Sequence, residues 1–106
     1  MEDKRKFNRC LTQLEAKYFL EEEEQKGSWE ECTVINISRK GIGIKFHACK
    51  KFNTGSIIHL AIIVPREPDP IMIKGTLGWI KQKENYFISG IELTEELDDA
   101  KWDKFC

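Results

Sequence analysis

Proline is scarce in this sequence, and its three copies, Pro65, Pro68 and Pro70, fall in one short stretch. Proline removes a backbone donor and fixes φ, so its confinement to a single connection leaves the rest of the chain free to form hydrogen-bonded ladders. Long apolar runs are missing too. The longest, Ile57 to Val64, is interrupted by His59 and falls far short of the roughly 18 residues that span a bilayer. The start lacks an apolar signal-like region, so the expectation is a cytoplasmic protein without membrane insertion. Four cysteines, Cys10, Cys32, Cys49 and Cys106, stand far apart without a C-x-x-C, which excludes a zinc ribbon or thioredoxin motif and predicts ordinary reduced thiols. His47 and Cys49 are close, but there is no third or fourth ligand at metal-site spacing. No P-loop, no nucleophile beside a base and no glycine-framed carboxylate pair is present, and so small a chain has no room for a substrate cleft, so an enzyme is not expected.

An excess of either charge is lacking as well. Seventeen Lys and Arg oppose 18 Asp and Glu for a net charge of −1, which excludes the strongly basic profile of a DNA coat. With 41% hydrophobic residues the chain is too apolar for a disordered tail, and its 106 residues fit one domain. By segment the charge is uneven: +2 over residues 1–9, −5 over 10–37, +6 over 38–90 and −4 over 91–106. This distribution allows a local anion site on a neutral protein.

Apolar periodicity is mostly two, which predicts strands. Leu14, Ala16, Tyr18 and Leu20 share a face in a first strand, and the acidic run Glu21–Glu24 reads as an exposed connection. A second strand runs from about Glu30 to Ser38, with Ile35 and Ile37 inward and Asn36 and Ser38 outward; Ile42, Ile44 and Phe46 alternate in a third. Ile57–Val64 is a fourth, expected to be covered on both faces. A fifth, from Ile71 to about Lys83, places Trp79 with the core residues in period two. Gly75 and Gly78 mark bends or bulges there, and a hairpin at Lys83–Asn85 leads to a sixth strand, Tyr86–Leu93. Thr94 reads as the N-cap of a C-terminal helix, with Trp102 and Phe105 packing. Six antiparallel strands in so short a chain predict an all-β fold, a small closed barrel with one helix.

Two patterns carry chemistry: Arg5-Lys6-Phe7-Asn8-Arg9, an R-x-x-x-R, and Asn36-Ile37-Ser38-Arg39-Lys40-Gly41, an N-x-S-x-x-G. Each alone is weak, since a basic tail and a Ser–Gly turn are ordinary. A hairpin centred near Gln25 joins them, pairing Cys10 with Lys40 and Leu14 with Asn36 and delivering Arg9 to the Ser38–Gly41 turn. Two guanidinium forks, an amide, a hydroxyl and a glycine that admits a ligand to the backbone suit a molecule with anionic oxygens and an acceptor-rich planar edge. A guanine nucleotide fits that description.

The spacing of these motifs resembles the PilZ domain, the bacterial receptor module for cyclic di-GMP. The resemblance extends over nearly the whole chain, through Gly55-Ser56-Ile57-Ile58, Leu77-Gly78-Trp79 and Ser89-Gly90-Ile91-Glu92-Leu93. It implies a six-stranded antiparallel barrel with a C-terminal helix, in which residues 1–9 form a flexible ligand-binding segment and 10–106 the barrel domain. By position it makes Arg5 and Arg9 the ligand-gripping arginines and Asn36, Ser38 and Gly41 the strand-turn residues of the cyclic di-GMP site. Lys4 stands before the first motif arginine, where many members have another arginine; lysine keeps the charge and loses the planar fork. The implied function is a stand-alone effector, needing no cofactor, that acts on a protein partner in motility, adhesion or exopolysaccharide output. An alternative is a PilZ-like interaction protein serving type IV pilus assembly without nucleotide, although such members typically lack the arginine pair. A weaker option is a barrel that binds single-stranded nucleic acid.

Overall fold

The computed structural model describes residues 10–21, 29–47 and 53–105. Six strands, β1 (Cys10–Leu20), β2 (Glu30–Ile37), β3 (Gly41–Phe46), β4 (Ile57–Ile62), β5 (Ile71–Gln82) and β6 (Phe87–Leu93), precede one helix, α1 (Asp99–Phe105). Neighbours pair antiparallel in the order β1-β2-β3-β6-β5-β4, and β1 also pairs with β4, so the sheet closes into a barrel. This is the architecture that the periodicity predicts. Segments 1–9 and 22–24, and with them Lys4, Arg5, Arg9 and most of the acidic run, lie outside the described residues.

The strands form because β-branched and aromatic residues alternate with polar ones, and a pleated backbone sends successive side chains to opposite faces. The inward set includes Ala16, Tyr18 and Leu20 of β1, Ile42, Ile44 and Phe46 of β3, Ile58, Leu60 and Ile62 of β4, and Ile91 and Leu93 of β6. Among the described residues one polar side chain, that of Ser89, is fully buried, and its hydroxyl donates to the Trp79 carbonyl at 2.8 Å. β4 departs from the expectation of two covered faces. It alternates, with Ile57 exposed and His59 and Ala61 half-buried on its outer side.

Two bulges account for the larger departures. In β2 the ladder to β3 shifts between Val34 and Asn36, so the inward residues are Cys32, Val34 and Ile37, and Ile35 is left half-buried instead of entering the core. In β5 the ladder to β6 shifts between Leu77 and Trp79. Inward parity then passes from Ile71, Ile73 and Leu77 to Ile80, which packs against the core, while Trp79 is turned out and stands 49% exposed. An extra residue in one strand reverses which face every later side chain takes, and Trp79, expected in the core, is thereby moved to the surface. Gly78 sits at the bulge as predicted; Gly75 remains in register opposite Leu93, where a β-carbon would stand 2.6 Å from the Glu92 carbonyl oxygen.

The β1–β2 register is also offset from the expected one. Leu14 pairs with Val34, Leu11 with Asn36 and Cys10 with Ile37, not Leu14 with Asn36 or Cys10 with Lys40. A bulge between Leu11 and Leu14 contributes to the difference. The helix begins later than predicted. Asp98, not Thr94, is its N-cap, its Oδ1 accepting from the Lys101 N–H at 2.8 Å. Residues 94–98 run along the barrel instead, with Thr94 N–H donating to the Lys74 carbonyl and Leu97 N–H to the Arg39 carbonyl. Leu97 and Phe105 are buried and Trp102 packs partly against the core, as expected for a helix that caps the barrel through its apolar face.

Candidate functional site

The connection between β2 and β3 is a tight turn that Ser38 holds from both ends. Ser38 N–H donates to the Gly41 carbonyl at 2.8 Å, Ser38 Oγ donates to the same carbonyl at 3.1 Å, and Gly41 N–H donates back to Ser38 Oγ at 3.1 Å. A hydroxyl so placed can donate to a ligand only by giving up its bond to Gly41. Gly41 is not in the left-handed region. Its constraint is space: a β-carbon there would lie 3.2 Å from the Ile91 carbonyl oxygen and 3.7 Å from Ser38 Oγ.

Asn36 is directed outward by the β2 bulge and lies across Gly43 of the neighbouring strand, whose missing β-carbon would stand 2.8 Å from the Asn36 Nδ2. Gly43 in turn pairs with Gly90 of β6, and the Trp79 indole lies over Gly90 from the other side. Two bulges on strands that flank the β3–β6 pair thus aim an amide and an indole at one stretch of bare glycine backbone. The result is a shallow concavity of about 390 Å³ on the outer wall, lined by Asn36, Ser38, Lys40, Gly41, Gly43, Gly78, Trp79, Ile88, Gly90 and Glu92 among others. That volume falls at the lower end of the usual range for small-molecule sites.

Three of the five sequence-predicted site residues, Asn36, Ser38 and Gly41, therefore meet at one surface, and Arg5 and Arg9 lie outside the described residues. Cys10 pairs with Ile37, so the backbone enters β1 opposite the residue that precedes Ser38. Trp79, Gly43, Gly90, Lys40 and Glu92 are additions that sequence reasoning did not assign to the site. One signal was available: Gly43 and Gly90 both occupy outward positions of their strands, where glycine has no packing use and marks a close approach. Lys40 is exposed with its ammonium 4.0 Å from Glu96, leaving a cation at the rim.

Chemically, the surface offers a flat π face for an aromatic ring and an amide with no hydrogen bond to another described residue. The glycine floor admits close approach, and Lys40 can attract an anion. Among the described residues no group of three or more His, Cys, Asp or Glu side chains is placed to hold a metal ion, and no helix is long and apolar enough to cross a membrane.

Comparison with known proteins places this architecture. No curated protein matches the chain. Among solved structures, it is similar to the Bacillus subtilis inhibitor of motility MotI/DgrA with a TM-score of 0.68 at 19% identity, a likeness of fold. The match covers 92% of this chain and 46% of that one, so the chain spans about half the length of that protein. The family profile of the PilZ domain matches residues 3–104, a span that takes in both motifs, all six strands and nearly all of the helix; the chain belongs to the PilZ domain family.

Proposed function

We propose that this protein is a cyclic di-GMP receptor in which Arg5 and Arg9 fold over the outer wall of the barrel and close on a ligand held by Asn36, Ser38 and Gly41. The observation that carries the reading is the convergence of those three residues on a glycine-floored concavity walled by Trp79. Membership of a family of cyclic di-GMP-type receptors and effectors supports it further. In the bound state the guanidinium forks would take phosphate oxygens and the acceptor edge of guanine, Asn36 would meet a base edge, and the indole would supply a stacking face.

Charge-assisted contacts contribute roughly 1.5–3 kcal/mol each, while ordering a segment costs about 1–2 kcal/mol per residue. The two terms offset each other, and the expected affinity is of micromolar to sub-micromolar order, about −8 to −10 kcal/mol. The ordering cost is also what makes residues 1–9 a switch, since the ligand changes the surface shown to a partner. Output runs through that protein partner in motility, adhesion or exopolysaccharide control; the likeness to an inhibitor of motility makes motility the first to assay.

Titration calorimetry with cyclic di-GMP tests the reading. The parent protein is expected to bind, Arg9→Ala to lose at least tenfold in affinity, and Ser38→Ala to lose a similar amount while melting a few degrees lower, because two bonds that close its turn are gone. No heat with the parent, or equal heat with both variants, overturns it.

A further inference from the structure

Arg39 lies between two residues of the proposed site and is committed in the opposite direction. Its carbonyl accepts from the Leu97 N–H at 2.8 Å, and its Nη1 donates to the Leu97 carbonyl at 3.4 Å and to Asp99 Oδ1 at 2.7 Å. The guanidinium carbon stands 5.2 Å from the centre of the Trp102 ring, within cation–π range. The next residue repeats the connection: the Lys40 carbonyl accepts from Leu93 N–H at 2.9 Å, and its ammonium faces Glu96. One four-residue turn thus presents Ser38 and Gly41 to the concavity and Arg39 to α1.

The helix depends on such ties. Seven residues are too few for a helix to hold itself in water. Besides Leu97, Trp102 and Phe105, it is held by the Arg39 fork at one end and by Lys104 with Glu67, 3.5 Å apart, at the other. We infer that Arg39 is a positioning residue that couples the Ser38–Gly41 turn to the docking of α1, so that a change at either end alters the other. The coupling is a property of the unliganded protein. Its use as a readout of cyclic di-GMP rests on the function proposed above, and linkage then requires that a docked helix and a bound ligand favour each other equally in both directions.

Site-resolved amide hydrogen exchange on the full chain tests this without ligand. Arg39→Gln is expected to speed exchange of the Leu97 and Lys101–Phe105 amides about three- to tenfold, with Arg39→Lys between it and the parent, because lysine keeps the charge but not the planar fork. Trp102→Leu should in turn speed exchange at Ser38 and Gly41, which a contact serving only the helix would leave unmoved. Asp99→Asn, at a side chain 89% exposed and so harmless to the barrel, should raise helix exchange by a smaller factor. Helix exchange in Arg39→Gln within the parent's error, or unchanged Ser38 and Gly41 amides in Trp102→Leu, overturns the coupling. With cyclic di-GMP added, slowed helix exchange in the parent but not in Arg39→Gln supports it. Binding that leaves helix exchange unaltered in the parent overturns the readout while the receptor stands; absence of binding overturns the receptor, and the ligand-free arms still decide the coupling.

Discussion

Asn36 lies against Gly43 so closely that a β-carbon on the glycine would sit 2.8 Å from its amide nitrogen and 3.0 Å from its amide oxygen. The two residues are paired across the β2–β3 ladder immediately after the bulge. The amide's position is therefore set by the absence of a side chain on the neighbouring strand.

Gly43→Ala should displace the Asn36 amide without unfolding the barrel, since the obstructing atoms belong to the end of a side chain. The expected cost is about 1 kcal/mol in stability, at the low end for overpacking, together with roughly a tenfold loss of cyclic di-GMP affinity, since one well-placed hydrogen bond is about that size. Thermal melts and calorimetry on the same sample separate the two. A variant that binds as the parent does would show that Asn36 is not a ligand contact.

Trp79 is half exposed and rests on Gly90, so its truncation should scarcely affect folding. Trp79→Ala is expected to change stability by less than about 1 kcal/mol. If guanine stacks on the indole, affinity falls by about 1–3 kcal/mol. Gly90→Ala, which leaves the tryptophan in the chain but pushes the ring aside, should reproduce much of that loss and shift the tryptophan emission. Unchanged affinity in both variants would leave the indole as a surface side chain alone.

Burial pushes the Cys32 thiol from 9.0 up to about 12. The folded state therefore keeps a proton that the unfolded chain releases above pH 9, so this group's contribution to stability is full below about pH 9 and is lost as pH rises toward 12. Between pH 7.5 and 10 the parent should lose about 1 kcal/mol more unfolding free energy than Cys32→Ala, measured by denaturant titration. The native thiol should also resist alkylation at pH 8 and react once the chain is unfolded. Equal slopes for the two proteins would contradict this assignment.

The strands were legible because their core-facing residues repeat every second position and each connection carries turn residues. Asn36, Ser38 and Gly41 were legible as a cluster for the same reason, being confined to one strand end and its turn. The outward position of Trp79 was hidden. A period-two pattern assumes no inserted residue, and at Gly78 one insertion reverses the face taken by the later side chains of β5. Ile35 and Val34 exchanged roles through the corresponding break in β2. The start of α1 was misplaced for another reason: Thr94 and Asp98 are both competent caps, and the choice between them was made by distant carbonyls, those of Lys74 and Arg39, which accept from the Thr94 and Leu97 N–H groups and tie residues 94–97 to the barrel in place of a helical turn. Local sequence contains no record of bonds between positions so far apart.

Closure of the barrel also restricts how a partner can be engaged. Each of the six strands has a neighbour on both sides, and among the described residues the ladder positions without a second partner are confined to strand ends such as residues 78–82 of β5, so a peptide adding itself as a further strand has little ladder to extend. Recognition therefore reads mainly side chains, and a regulated surface is made mainly by repositioning them. Under the proposed function, control of a partner is accordingly a matter of which residues are presented on the closed wall.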